Sequence, residues 1–228
     1  MENAIPFISD TGMRSPEASV FTILFNLGAL LVIITVYIRH SIFDIKYQNG
    51  LNQICYTTSA SSRTKRMNGL SYVCGLVTAI GLIIIGNFRS SEMKQMHNFG
   101  TYMTCLFGTF DIILQSLIAL NTESKRLGIL RLVIVSIIIP SFFGYIFIEF
   151  INKKIWNNIF VRDSLGKTVA AVCEWIGFCM FGPFYATFVP EFRRLKSVEI
   201  VLKFSESEKP LLLGDETKVD TSTKPLKT

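Results

Sequence analysis

Long runs without a formal charge decide most of what this chain can become. There are 21 uncharged residues between Glu17 and Arg39, 22 between Arg66 and Arg89, and 17 between Arg131 and Glu149. A helix crosses the hydrocarbon core of a bilayer with roughly 20 mostly apolar residues. A soluble domain spreads charge over about a quarter of its residues. Here 18% are charged, and 15 of the 40 charged residues fall in the last 38 positions, 191–228. The preceding residues are too charge-poor to furnish a soluble surface. The expectation is an all-α polytopic membrane bundle with a polar C-terminal tail.

Other classes are excluded by how the remaining polar residues are placed. The net charge of +6 resides in segments between the apolar runs and forms no basic stripe with interleaved aromatics, so no nucleic-acid partner is expected. Cys74, Cys105, Cys173 and Cys179 lie in apolar segments and Cys55 in a basic loop. That is no disulfide framework, and packed thiols are expected. His40 and His97 lack a Cys or His at ligand spacing, so neither a metal nor a cofactor is expected. HExxH, GxSxG, a phosphate-binding glycine loop and N-glycosylation sequons are all absent from the sequence. A non-enzymatic protein is the reading.

Five spans are drawn, at about 20–38, 69–87, 99–120, 130–150 and 168–189. The first follows Ser15-Pro16-Glu17, where Ser caps, Pro suits the first turn and Glu complements the helix dipole. Pro140 lies inside the fourth, where neighbouring helices accommodate it. Residues 1–19 form a segment outside the membrane domain of 20–190, and the tail covers 191–228. From about 205 the tail has no aromatic after Phe204 and is expected to be disordered. Small residues four apart, Ser71, Gly75 and Ala79 on the second span and Gly182 and Ala186 on the fifth, suit close packing within the bundle.

Counting Lys and Arg beside the spans gives twelve on the side of the tail (Arg39, Lys46, Arg63, Lys65, Arg66, Lys125, Arg126, Arg131, Arg193, Arg194, Lys196 and Lys203) and seven on the other. The richer side is expected to be cytosolic. The N-terminus is then luminal or extracellular.

Asp111 and Glu174 stand inside apolar sequence, and His97 just precedes the third span. An acid at the centre of a span costs roughly 2.5–3.5 kcal/mol, so each should face the interior and find a partner. A structural polar contact and a proton-coupled or lipid-headgroup site are both consistent with this. Glu174 and His97 both fall near the luminal surface in this orientation, which makes them the candidate polar site, with Asp111 deeper. In the tail, Glu208 followed by Leu212 and Leu213 matches an acidic dileucine sorting signal. Such a signal binds clathrin-adaptor proteins. Membrane lipids are the other expected partner.

The segment Pro6-Phe7-Ile8-Ser9-Asp10-Thr11-Gly12, followed by Pro16-Glu17, resembles the luminal-loop signature of the damage-regulated autophagy modulator (DRAM) family, part of a wider DRAM/Sfk-type superfamily. Asn87-Phe88, His97 with Gly100, Leu114-Gln115-Ser116, Arg131, Cys173-Glu174-Trp175 and Phe188 to Phe192 resemble further family elements in order. The resemblance covers about residues 6–203. It implies a lysosomal or late endosomal multi-pass protein that promotes autophagy, with no established enzymatic activity. The related plasma-membrane branch, whose members resemble scaffolds for phosphoinositide kinase and lipid organisation, is one alternative, and a small proton-coupled transporter or lipid-handling protein is another. Family members have a helix before the signature loop, and here Met1 lies five residues before Pro6, so the chain is expected to begin on the luminal side. Asp111 has no acidic counterpart in the family pattern.

Overall fold

The computed structural model describes residues 5–51, 58–122, 125–154 and 164–193. Glu208, Leu212, Leu213, Cys55 and the expected disorder from about 205 lie outside the described residues. A single 3-10 turn, Ser9–Gly12, precedes α1 (Glu17–Leu51), α2 (Thr58–Asn87), α3 (Lys94–Thr122), α4 (Lys125–Lys154), α5 (Ser164–Ala186) and the short α6 (Val189–Phe192). Five helices are long and apolar enough to cross a bilayer, within Glu17–Ile45, Ser62–Asn87, Lys94–Asn121, Lys125–Ile148 and Gly166–Phe192. The protein is a multi-pass membrane bundle, helical because lipid leaves no other way to satisfy the backbone of a spanning segment.

The helices overrun the apolar stretches. α1 has 35 residues, roughly 50 Å at 1.5 Å per residue, whereas the hydrocarbon core is roughly 30 Å thick. Arg39-His40 therefore lies within the helix and does not end it. α5 stops at Ala186 and the chain re-enters a helix at Val189. Pro190 explains the break, since in a continuous helix its ring would clash with the Ala186 carbonyl. The Thr187 hydroxyl donates to the Phe184 carbonyl at 2.7 Å and so closes the turn.

Packing runs neighbour on neighbour, α1 to α2, α2 to α3, α3 to α4 and α4 to α5. Ala29, Val32, Val36 and Ala79 fill the α1/α2 seam. Ile112, Ile134, Ile138, Phe142, Phe184 and Phe188 fill the seam of α3, α4 and α5. Apolar burial gives little drive in lipid, so close approach of backbones has to supply the contact. At Gly75 an added Cβ would lie 2.4 Å from Val36 Cγ1. At Gly81 it would lie 2.9 Å from the Gly100 carbonyl oxygen, and the reverse substitution meets the Gly81 oxygen at 2.9 Å. The small-residue row of α2 thus packs inside the bundle. Gly182 differs, because an added Cβ there meets nothing within 4 Å. α5 does not close tightly on α1, and a cavity of about 520 Å³ lies between them, floored by residues of α2, α3 and α4.

Candidate functional site

At the Ser9–Gly12 end the chain folds a compact cap over the bundle. Asp10 Oδ2 accepts the Phe7 N–H at 3.1 Å, and the Thr11 hydroxyl donates to the Ile8 carbonyl at 2.6 Å. These side chains satisfy the turn locally, as Asp and Thr do in turns. Ile8 is buried against Phe25 and Ile85. Gly12 lies against the Phe21 ring so closely that a Cβ would fall 2.5 Å from Cγ. Pro16 leads into Glu17, which opens α1 where a carboxylate complements the dipole.

α5 holds this cap from below. Glu174 Oε2 accepts the Ile8 N–H at 2.8 Å, and Trp175 Nε1 donates to the Pro6 carbonyl at 3.0 Å. Phe7 packs edge-on against Tyr145 of α4, centroids 6.3 Å apart. The Cys173-Glu174-Trp175 segment therefore reads the backbone of the Pro6–Gly12 segment from across 166 positions of sequence. One role of Glu174 is this structural clasp.

His97, at the first turn of α3, is 5% exposed. Its Nδ1 lies 2.8 Å from the Phe88 carbonyl oxygen. A carbonyl can only accept, so in the neutral ring Nδ1 carries the proton and Nε2 is the acceptor. Glu174, His97 and Ser9 all line the α1/α5 cavity, with no hydrogen bond between Glu174 and His97 among the described residues. Both residues singled out near one end of the bundle thus share one cavity.

Asp111 lies elsewhere. It is 1% exposed and accepts a hydrogen bond from the Ser71 hydroxyl. Gln115 Nε2 donates to Ser71 Oγ at 2.9 Å, and Arg39 Nε and Nη2 donate to Gln115 Oε1 at 3.3 and 3.2 Å. Arg39 also pairs with Glu191, to which Arg131 Nη2 donates at 2.8 Å. Arg131 Nε reaches the Thr187 hydroxyl at 2.9 Å. The guanidinium carbons of Arg39 and Arg131 sit 4.9 and 4.1 Å from the centroid of the Phe188 ring.

This network corrects the placement of two cations. Arg39 and Arg131 are 4% and 0% exposed, so they are interior groups and not loop charges. Asp111 consequently has a buried guanidinium in its network. Helix periodicity carried the missing signal, since Val32, Val36, Arg39 and Phe43 share one face and all four are buried. The described cysteines Cys74, Cys105, Cys173 and Cys179 are free thiols, but the expected packing holds for Cys74 and Cys105 alone, since Cys173 is partly buried and Cys179 is exposed.

Residues 1–195 match the family model described as Frag1/DRAM/Sfk1/Cwh43P N-terminal domain. The chain belongs to this family. Within it, the chain is 30% identical over 197 residues to DNA damage-regulated autophagy modulator protein 1 of Homo sapiens, covering 83% of this chain and 78% of that protein. It is 26% identical over 214 residues to DNA damage-regulated autophagy modulator protein 2 of Rattus norvegicus, covering 86% and 74%. Transmembrane protein 150A of Xenopus laevis is 28% identical over 194 residues, with 82% of this chain and 62% of that protein covered. No solved structure matches the chain. In this family member the resemblance-bearing segments gather at two places: Pro6, Ile8, Asp10, Thr11 and Gly12 form the cap that Glu174 and Trp175 clasp, and Gln115 and Arg131 stand in the separate interior polar network.

Proposed function

We propose that this protein is a non-enzymatic modulator of autophagy in lysosomal or late endosomal membranes, with its cap in the lumen and its tail in the cytosol. The observation that carries the reading is the similarity to autophagy modulator proteins along most of the chain, 83% of it for the human relative. Two features support it. The clasp between Glu174 and the cap joins segments that resemble the family, and Glu208 with Leu212 and Leu213 matches an acidic dileucine signal that clathrin adaptors would read. The similarity to transmembrane protein 150A, which is 28% identical, favours a plasma-membrane scaffold as the second reading.

Autophagic flux in cells with the chain removed and then restored tests the reading. Flux should fall on removal and return with the intact chain, and unchanged flux overturns the proposal. Glu174→Gln keeps an oxygen acceptor for the Ile8 N–H while removing the charge. It should leave abundance and localisation unchanged and weaken the rescue; a full rescue would confine Glu174 to its structural role. Leu212→Ala with Leu213→Ala should move the protein towards the cell surface at similar abundance.

A further inference from the structure

The cavity between α1 and α5 has a chemistry that restricts what it can hold. Residues of all five long helices line it, and α1 and α5 approach each other only sparsely beside it. Phe21 and Phe25 from α1 and Phe178, Phe181 and Tyr185 from α5 line it. Among the described lining residues, Glu174 is the carboxylate and His97 the imidazole, and neither Lys nor Arg is among them. An anionic lipid bound here would bring its phosphate towards the Glu174 carboxylate, and like-charge juxtaposition opposes binding.

A neutral amphiphile with a small hydroxyl head meets no such objection. With the ring neutral, Nδ1–H donates to the Phe88 carbonyl and His97 presents Nε2 as an acceptor. That nitrogen has no hydrogen bond from the described residues, and His97 lines the cavity, so a donor held there would pair with it. Farther along, Gly28 and Gly182 on opposite walls have no heavy atom within 4 Å of an added Cβ, which leaves the slot smooth on both sides. Aromatic and glycine walls suit a flat, rigid apolar body. We propose that the α1/α5 cavity binds a sterol, its ring system between the two helices and its hydroxyl donating to His97 Nε2. The inference rests on the cavity and not on the autophagy reading.

Photolabelling of the full chain in cell membranes with a photoreactive alkynyl sterol, followed by peptide mapping, tests it. Label should fall on the peptides containing Gly28 and Gly182 and be displaced by excess unlabelled sterol. Gly28→Leu and Gly182→Leu each fill the slot from one wall and should reduce labelling severalfold. His97→Phe keeps a ring while removing the acceptor, and should reduce it as well. Three results would overturn the proposal. The first is equal labelling of the same peptides by a photoreactive phosphatidylcholine, which would make the site a general acyl groove. The second is sterol label confined to outward residues such as Phe143 and Phe147. The third is disulfide-linked dimers of a Gly28→Cys variant, which would put a second copy in the slot. Should the filling variants be degraded, the peptide map and competition on the unaltered chain decide.

Discussion

Gly12 and Tyr185 mark opposite kinds of constraint at single residues. Gly12 is needed for space alone: its backbone lies in ordinary right-handed geometry, and the Phe21 ring occupies the volume where a Cβ would be, 2.5 Å from Cγ. Phe21 is itself stacked on Phe25 at 4.2 Å, so the ring has little room to withdraw. Gly12→Ala should cost about 1–3 kcal/mol, the usual range for overpacking, read as a lower melting temperature in detergent and a looser cap. Tyr185 is the reverse case. Its hydroxyl is buried without a hydrogen-bond partner among the described residues. Its ring packs with Phe181, Phe184 and Phe188. Burying such a hydroxyl costs roughly 1–3 kcal/mol by protein mutational measures. Tyr185→Phe should therefore leave stability unchanged or raise it, and a large loss in the same melting assay would mean that the hydroxyl has a partner in the membrane.

At the scale of elements, Glu191 is the shared partner of two buried cations from different helices. α6 is only four residues long, yet it delivers this carboxylate to Arg39 of α1 and Arg131 of α4. Removing one partner of a buried pair typically costs about 3–5 kcal/mol, because the charge left behind is uncompensated. Glu191→Ala should therefore lower the melting temperature sharply and release the C-terminal end of α5. Combining it with Arg39→Met, Arg131→Met and Asp111→Asn should recover much of the loss, since apolar or neutral replacement of a whole buried ionic cluster is often tolerated. If the combined variant is as unstable as the single one, the cluster is not what joins these helices. The five helices were legible as runs of uncharged residues, because a bilayer imposes a length on each. The placement of Glu174 and His97 towards one end was legible from span order. The interior position of Arg39 and Arg131 was hidden by a linear count that treats every cation beside an apolar run as a boundary, although burial follows the helical face. The clasp of Glu174 on Ile8 could not be read either, since it joins residues 166 apart through a backbone N–H that carries no side-chain signal.

For the whole molecule, interior arginines alter the argument for orientation. A guanidinium held inside the bundle by a carboxylate is neutralised there and contributes less to topology than a cation at the interface. Taking Arg39 and Arg131 out of the twelve leaves ten cations beside the tail end against seven at the cap end. The bias still predicts a cytosolic tail, but it now depends on few residues. Arg63, Lys65 and Arg66, exposed at the start of α2, supply three of the ten. Changing all three to Gln equalises the two sides at seven each, so the variant should insert in mixed orientation. Lys153→Gln with Lys154→Gln, on the opposite side, should leave a single orientation, because it widens the difference. An impermeant thiol reagent on sealed cells or vesicles would report both outcomes through cysteines introduced by Asn3→Cys and Ser222→Cys. For the unaltered charges, the cysteine at position 3 should be reached from the luminal or outer side and that at 222 only from the cytosol. Labelling of both from one side would contradict five crossings between them. A single orientation in the triple Gln variant would mean that cation bias does not set topology here, leaving the cap and its clasp on α5 as the feature that holds the N-terminal end across the membrane.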